Sequence, residues 1–223
     1  VLPKYVDDKD RFYHHYISFL KAFSFFALPM LAIMFVAAEP MVLTLYGSKW
    51  IEAVLPLRIL IVVAAFKTVS SSYGSVMNSF HLNKKSFIVT AIYGPFHLVG
   101  SYIGAMFGLG GLALAVTIVK VIFINWNIKQ IMDAVAKPFI QWYRDIFPYF
   151  ILNGLLVGLV LVCIPVMPLM KPLLSTIVLS TIFAIAYILV ARFAYRKATV
   201  QVSVTIANIF PKLSPYFNKV FGI

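Results

Sequence analysis

Acidic residues and cysteine are scarce in this sequence. Among 223 residues there are seven Asp and Glu and one Cys, and charged residues make up 12% of the chain. The lone Cys163 excludes an internal disulfide, and no group of Cys and His has the spacing of a metal site. Soluble proteins contain about 25% charged residues. These absences exclude a secreted disulfide scaffold, a zinc domain and a water-soluble globule, and no metal or other cofactor is expected.

Long apolar runs dominate the rest of the chain. Hydrophobic residues make up 62% of it, and a helix needs about 20 largely apolar residues to cross a bilayer. The sequence therefore predicts an all-α integral membrane protein, a bundle of six transmembrane helices. The six windows are residues 22–46, 53–79, 86–107, 110–131, 146–167 and 172–195. Pro165, Pro168 and Pro172 predict a short hairpin between the last two.

The net charge of +12 is explained by topology. A nucleic-acid surface needs clustered cations, whereas here single cations separate apolar runs, so no nucleic-acid partner is expected. Cytoplasmic loops carry an excess of Lys and Arg, and alternation of the six spans gives one side most of these residues. Both ends of the chain are therefore expected in the cytoplasm. The richer side holds Lys4, Lys9, Arg11, Lys21, Lys84, Lys85, Lys129, Lys137, Arg144, Arg192, Arg196 and Lys197, and the poorer side holds Lys49, Arg58 and Lys171.

The two ends of the chain flank this predicted bundle. Residues 1–21 are expected to form a cytoplasmic lead-in and the start of the first helix. Residues 196–223 are too short and too interrupted by proline to cross the membrane easily. We expect a cytoplasmic, interfacial amphipathic segment there, with a disordered tail as the alternative. Because the chain opens at Val1 with neither Met nor the pattern of a signal peptide, we expect a fragment of a longer protein.

Two lysines are the strongest candidates for a binding role. Lys67 and Lys120 lie near the middle of their spans, where a charge is costly and usually faces a cavity or a partner. Ser71, Gly74 and Asn78 follow Lys67 at intervals of four, three and four residues, which predicts one polar stripe along a helix. The alternative is that each lysine reaches the interface or a backbone carbonyl.

One further residue, Arg58, extends this candidate set. Thr117 and Asn127 make a thinner polar stripe with Lys120 on the fourth predicted helix. Arg58 lies only a turn or two inside its interface, so it is a weaker candidate whose side chain can reach the surface. Lys67, Lys120, Arg58, Ser71 and Asn78 together form the predicted substrate-binding set.

The glycines predict helix packing rather than nucleotide binding. Gly100, Gly104 and Gly108 are spaced four apart, as are Gly154 and Gly158, and such ridges let helices approach closely. None is followed by Lys and Ser or Thr in the pattern of a phosphate loop.

An enzymatic alternative depends on Asp7, Asp8 and Asp10. Asp8-Lys9-Asp10 matches the DxD pattern of metal-dependent glycosyltransferases, and paired aspartates also occur in prenyl transferases. A site of the second kind needs a further carboxylate cluster to hold magnesium, and the sequence has none. We therefore expect a solvated turn before a helix and no catalytic residue, with a membrane-embedded glycosyl, prenyl or acyl transferase as the alternative.

Several short motifs resemble the later half of bacterial polysaccharide flippases. They are Leu2-Pro3-Lys4, residues 7–13, Glu39-Pro40, the Leu-Tyr-Gly-Ser-Lys-Trp loop at 45–50, and residues 55–60. The likeness is to O-antigen, teichuronic-acid and colanic-acid exporters of the multidrug/oligosaccharidyl-lipid/polysaccharide superfamily. It covers about residues 1–131, and the remainder is similar in hydropathy only.

This resemblance implies a transporter with about twelve to fourteen helices in two bundles around a basic cavity that opens alternately to either side. The six spans would be the ninth to fourteenth helices, and the partners would be membrane lipids and a missing N-terminal bundle. The implied substrate is a polyprenyl-diphosphate-linked oligosaccharide crossing the bacterial inner membrane. A cationic-drug exporter of the same superfamily is the alternative, and it would favour buried carboxylates over buried lysines.

Overall fold

A computed structural model describes residues 6–163, 172–193, 196–209 and 214–222. Across those ranges the chain is helical and contains no strand, which confirms the all-α prediction. The helices are α1 (Lys9–Val36), α2 (Ala38–Leu45), α3 (Val54–Ser70), α4 (Tyr73–Ser79), α5 (Asn83–Ala105), α6 (Gly108–Ala134), α7 (Phe139–Cys163), α8 (Pro172–Phe193), α9 (Arg196–Ile209) and α10 (Ser214–Phe221), with a short 3-10 helix at Ser48–Ala53.

Six segments are long and apolar enough to cross a membrane, as predicted. They are Lys9–Val36, Ser48–Ser79, Asn83–Ala105, Gly108–Ala134, Phe139–Val162 and Pro172–Arg192. The first predicted window, 22–46, falls on two helices, because α1 ends at Val36 and α2 begins at Ala38. The predicted proline hairpin lies mostly in residues 164–171, outside the described residues.

Helix α1 organises the bundle. It packs against α3, α7, α8 and α9, while α6 lies between α3 and α5. One apolar core surrounds the first half of α1, and a second core surrounds its later half. Phe12, Tyr16, Met77, Ile131 and Trp142 are among the buried residues of the first core. The second contains Phe25, Leu28, Tyr149, Phe183 and Phe217.

A proline inside α1 is compensated by a tyrosine from α8. Pro29 lies within the helix and has no backbone N–H, so the carbonyl of Phe25, four residues earlier, loses its regular donor. The hydroxyl of Tyr187 donates a hydrogen bond to that carbonyl at 2.6 Å. Tyr187 is 5% exposed, so the bond lies in the packed interior and fixes α8 against α1.

The glycine predictions are partly confirmed. A Cβ on Gly100 would lie 2.9 Å from Val119 Cγ2, and one on Gly104 would lie 2.6 Å from Ala115 Cβ. These two glycines therefore let α5 and α6 pack at close range, as expected for small residues four apart.

The prediction is wrong for the other three glycines. Among the described residues, no atom lies within 4 Å of a Cβ built on Gly154, Gly158 or Gly108. Gly108 begins α6 with a φ of 77°, a conformation that suits glycine because it has no Cβ. Within the described part of the chain, the glycine spacing on α7 therefore does not mark a close helix–helix contact.

Two ion pairs and a tyrosine hydrogen bond lie at the end of the bundle where α1 and α7 begin. Here the ammonium of Lys21 pairs with Asp145 at 2.9 Å, and the hydroxyl of Tyr13 donates to the same carboxylate at 2.8 Å. Lys137 pairs with Asp10. These contacts join the starts of α1 and α7, and the end of α6 meets them through Lys137. We call this the basic end of the bundle.

The tail forms a helical pair at the basic end. Thr199 on α9 donates to the carbonyl of Ala191 at 2.8 Å, and Ser203 donates to Asn218 on α10 at 2.5 Å. The ring of Phe217 lies 5.8 Å from that of Phe25 on α1. The two tail helices are therefore packed against the bundle across these described contacts.

Candidate functional site

A polar row follows one side of α3 and α4. Lys67, Ser71, Gly74 and Asn78 are all exposed. Lys67 lies in the last turn of α3, Ser71 directly follows that helix, and Gly74 and Asn78 share one face of α4. Leu60 is 41% exposed and shares the face of α3 that carries Lys67, two turns before it. The row therefore starts within apolar surface and reaches the end of the span.

An interruption between α3 and α4 adds polarity to this row. The hydroxyl of Thr68 donates to the Ala64 carbonyl at 2.8 Å, Ser70 donates to Lys67 at 3.2 Å, and Ser71 donates to Thr68 at 2.8 Å. The last carbonyls of a helix have no partner within it. The hydroxyls of Ser70 and Ser71 supply donors to two of these carbonyls, so the break is stable inside a span.

Lys120 lies half-buried on α6, beside α5. Its ammonium is 6.0 Å from the centre of the Tyr93 ring, within the range of a cation–π contact. The ring of His97 lies 5.2 Å from Tyr93. On the same helix as Lys120, Thr117 Oγ1 and Asn127 Oδ1 are buried and receive no hydrogen bond from the described residues.

Contacts between α3 and α6 fix the relative depth of the two lysines. A Cβ on Gly110 would lie 3.8 Å from Leu55, and the hydroxyl of Tyr73 donates to Gln130 at 2.7 Å. By this register Lys67 is level with about residues 122–124 of α6, so Lys120 is offset by about one turn, roughly 5 Å. Within the described part of the chain neither lysine forms a salt bridge.

Two members of the predicted set have structural partners. The Nε of Arg58 donates to the carbonyl of Phe35 at 3.4 Å, and its guanidinium lies 5.8 Å from the centre of that residue's ring. Arg58 therefore joins α3 to the end of α1. Asn78 Oδ1 accepts a hydrogen bond from Asn83 at 3.0 Å, next to the turn into α5.

An apolar groove that the sequence did not predict lies between α1, α3 and α7. Its volume is about 200 Å³, and Leu31, Phe66, Asn153 and Gly154 are among its lining residues. Asn153 is 6% exposed; its amide nitrogen donates to Tyr149, while its Oδ1 has no partner among the described residues. A lone amide within the apolar run of α7 was the available sequence signal.

Two of the three acidic residues of the enzymatic alternative have structural roles. Asp8 caps α1 by accepting from the Arg11 backbone N–H at 3.1 Å, and it also pairs with the Arg11 side chain. Asp10 pairs with Lys137. The described residues contain no group of three or more His, Cys, Asp or Glu that could hold a metal ion.

Residues 1–55 match a family model described as polysaccharide biosynthesis protein. The match covers about a quarter of the chain. Comparison with curated proteins gave no match, and comparison with solved structures gave none either. The matched residues include all of α1 and α2 and the loop that follows them. Together with the six candidate spans, the match supports a multi-pass membrane protein of a polysaccharide biosynthesis family.

Proposed function

We propose that this chain forms one bundle of a flippase that moves a polyprenyl-diphosphate-linked oligosaccharide across the bacterial inner membrane. The observation that carries the proposal is the exposed row with Lys67 partway along a span and Lys120 about one turn away in depth. A diphosphate is anionic, so cations at this depth lower the cost of moving it through hydrocarbon. The family match supports the polysaccharide part of the substrate.

The roles within the row follow from the geometry. Lys67 supplies the exposed positive charge, and the hydroxyl of Ser71 and the amide of Asn78 supply polar contacts toward the basic end. Lys120 contributes a second charge from α6, and Tyr93 shields one side of its ammonium. Arg58 has a different role in this proposal, because its guanidinium already holds the backbone of α1.

The exposed row also supports a second bundle as partner. A face with lysine, serine and asparagine exposed is costly against lipid but stable against a water-filled cavity. We propose that a second bundle of the same transporter faces this row and encloses the cavity, which opens alternately to the two sides. The cytoplasm is the proposed location of the basic end, by the positive-inside rule.

The test is transport by the full protein in liposomes loaded with a fluorescent polyprenyl-diphosphate oligosaccharide. Lys67→Ala should lower the flipping rate by about tenfold or more, because a hydrogen bond to a charged group contributes about 1.5–3 kcal/mol. Lys67→Arg keeps the charge and should retain most of the rate. Lys84→Ala is the matched control, since Lys84 is exposed at the end of a span.

Equal rates for Lys67→Ala and Lys84→Ala, with normal protein abundance, would remove Lys67 from the mechanism. The transferase alternative predicts instead a metal-dependent product that Asp8→Asn abolishes. The drug-exporter alternative predicts binding of cationic dyes. Neither is favoured here, because Asp8 caps a helix and Glu39 and Glu52, on the other side of the bundle from the basic end, are exposed.

A further inference from the structure

An apolar groove lies between α1 and the two tail helices. Its volume is about 450 Å³, and the surface that its lining residues present is apolar. Phe23 and Phe26 form one wall, and Ile206, Tyr216 and Val220 are among the residues opposite. Ligand pockets commonly have volumes of about 300–1,000 Å³. The groove is therefore large enough for part of an elongated apolar molecule.

Ring contacts between α10 and α1 form the packed boundary of the groove. Phe217 packs 5.8 Å from Phe25 and 5.9 Å from Phe26, measured between ring centres. Phe221 lies 5.3 Å from Phe25. With α9 tied to α8 through the bond from Thr199 to Ala191, the tail helices are docked along α1. The space between them is fixed by this packing.

The groove opens at the level where the membrane surface is expected. Lys21, with its ion pair to Asp145 at the basic end, precedes Phe23 on α1 by less than one turn. The side chains at the opening remain accessible: Phe26 is 45% exposed, Tyr216 is 72% exposed and Val220 is 48% exposed. An apolar chain could enter from the lipid while its polar end stays at the surface.

The positive charge of the tail indicates which class of lipid suits the groove. Beyond Asp145 the sequence contains no Asp or Glu, whereas Arg192, Arg196, Lys197, Lys212 and Lys219 lie in or next to the tail. Lys219 is exposed, adjoins Val220 and follows Tyr216 by about one turn of α10. Basic segments next to the membrane attract anionic lipids, by about 1 kcal/mol per Lys or Arg.

We propose that this groove binds one acyl chain of an anionic phospholipid, whose phosphate is held by the basic tail at Lys219. The apolar wall contacts the acyl chain, and the positive charge of the tail attracts the phosphate of the headgroup. This site would couple the tail helices to the composition of the surrounding membrane. The proposal is independent of the flippase hypothesis, because it uses neither Lys67 nor Lys120.

The test is native mass spectrometry of the full protein released from nanodiscs of equal phosphatidylglycerol and phosphatidylcholine. We expect phosphatidylglycerol to be retained preferentially. Val220→Trp fills the groove and should weaken that binding by about tenfold or more. Val204→Trp is the matched control, because Val204 is 57% exposed on α9 and does not line the groove; its lipid retention should equal that of the parent protein.

Lys219→Gln tests the headgroup contact without altering the packing. It should reduce the preference for phosphatidylglycerol by about fivefold, while Lys49→Gln, at the opposite end of the bundle, should leave the preference unchanged. Equal retention of the two lipids by the parent protein would overturn the proposal. So would unaltered retention in a folded Val220→Trp variant. If that variant does not purify in folded form, an unchanged preference in Lys219→Gln overturns it.

Discussion

Tyr187→Phe should destabilise the bundle through a single carbonyl group. In the parent protein the Tyr187 hydroxyl donates to the Phe25 carbonyl at 2.6 Å, and Pro29 supplies no N–H to replace it. Removing the hydroxyl leaves a buried acceptor without its donor, which costs about 1–3 kcal/mol. Because phenylalanine keeps the ring and its packing, little else changes, so the expected loss of unfolding free energy is within this range.

The hydrogen bond from Tyr187 can be isolated by repeating Tyr187→Phe in a Pro29→Ala variant. Alanine restores a backbone N–H that can donate to Phe25 within the helix, so Tyr187→Phe should then cost less than about 1 kcal/mol. The coupling energy of the double-mutant cycle should therefore be about 1–2 kcal/mol. Equilibrium unfolding of the four proteins by SDS in lipid–detergent micelles measures it directly.

Tyr102→Phe is the matched control for this cycle. Tyr102 is 72% exposed on α5, and loss of an exposed hydroxyl should change stability by less than about 0.5 kcal/mol. A coupling energy between Pro29 and Tyr187 of less than about 0.5 kcal/mol would refute the reasoning. The tyrosine would then contribute only its ring packing, and the proline would be tolerated for another reason.

Two further predictions concern helix packing and use the same unfolding assay. Gly104→Ala forces a Cβ to 2.8 Å from the Gly111 carbonyl oxygen, whereas Gly154→Ala enters open space. Both variants gain the same helix propensity. Gly104→Ala should therefore be less stable than Gly154→Ala by about 1–3 kcal/mol. Equal stabilities would argue against close contact of α5 and α6. Asp145→Asn leaves the partly buried Lys21 without its charge partner and should cost about 2–3 kcal/mol, part of which Lys21→Met should recover in the double variant; a neutral single variant would contradict this.

The six spans could be predicted because the bilayer imposes a length that the sequence must satisfy. The interruption near Ala37 was indicated by Pro40, which lies in the first turn of α2 and has no N–H for the Val36 carbonyl, but its exact residue depends on how α2 packs against α8 and the following loop. The glycine ridge on α7 failed for a similar reason. Small residues at a spacing of four allow close approach, but whether a helix comes near is decided elsewhere in the fold.

Part of the candidate site could be predicted from the sequence. The row from Lys67 to Asn78 follows from helical spacing alone. Tyr93 as the neighbour of Lys120 needed one more step: α5 and α6 form an antiparallel pair around the turn at Met106 and Phe107, so residues nearly equidistant from that turn face each other. The donor to Phe25 could not be found in this way. Pro29 predicts that some donor must arrive, but its source lies 162 residues away.

The distribution of charge partners separates structural cations from those available to a substrate. Lys21 and Lys137 have carboxylates, and Arg58 has a backbone carbonyl. Lys67 and Lys120 have no carboxylate partner within the described chain, although a cation at mid-span costs about 2.5–3.5 kcal/mol on insertion scales. The Tyr93 ring offsets part of that cost for Lys120, and water or an anion can offset the rest. Lys67 lies on the face where Ser71 and Asn78 continue the polar surface. This cost is the energetic basis of the proposal that an anionic group passes along the row at Lys67, with Lys120 about one turn away in depth.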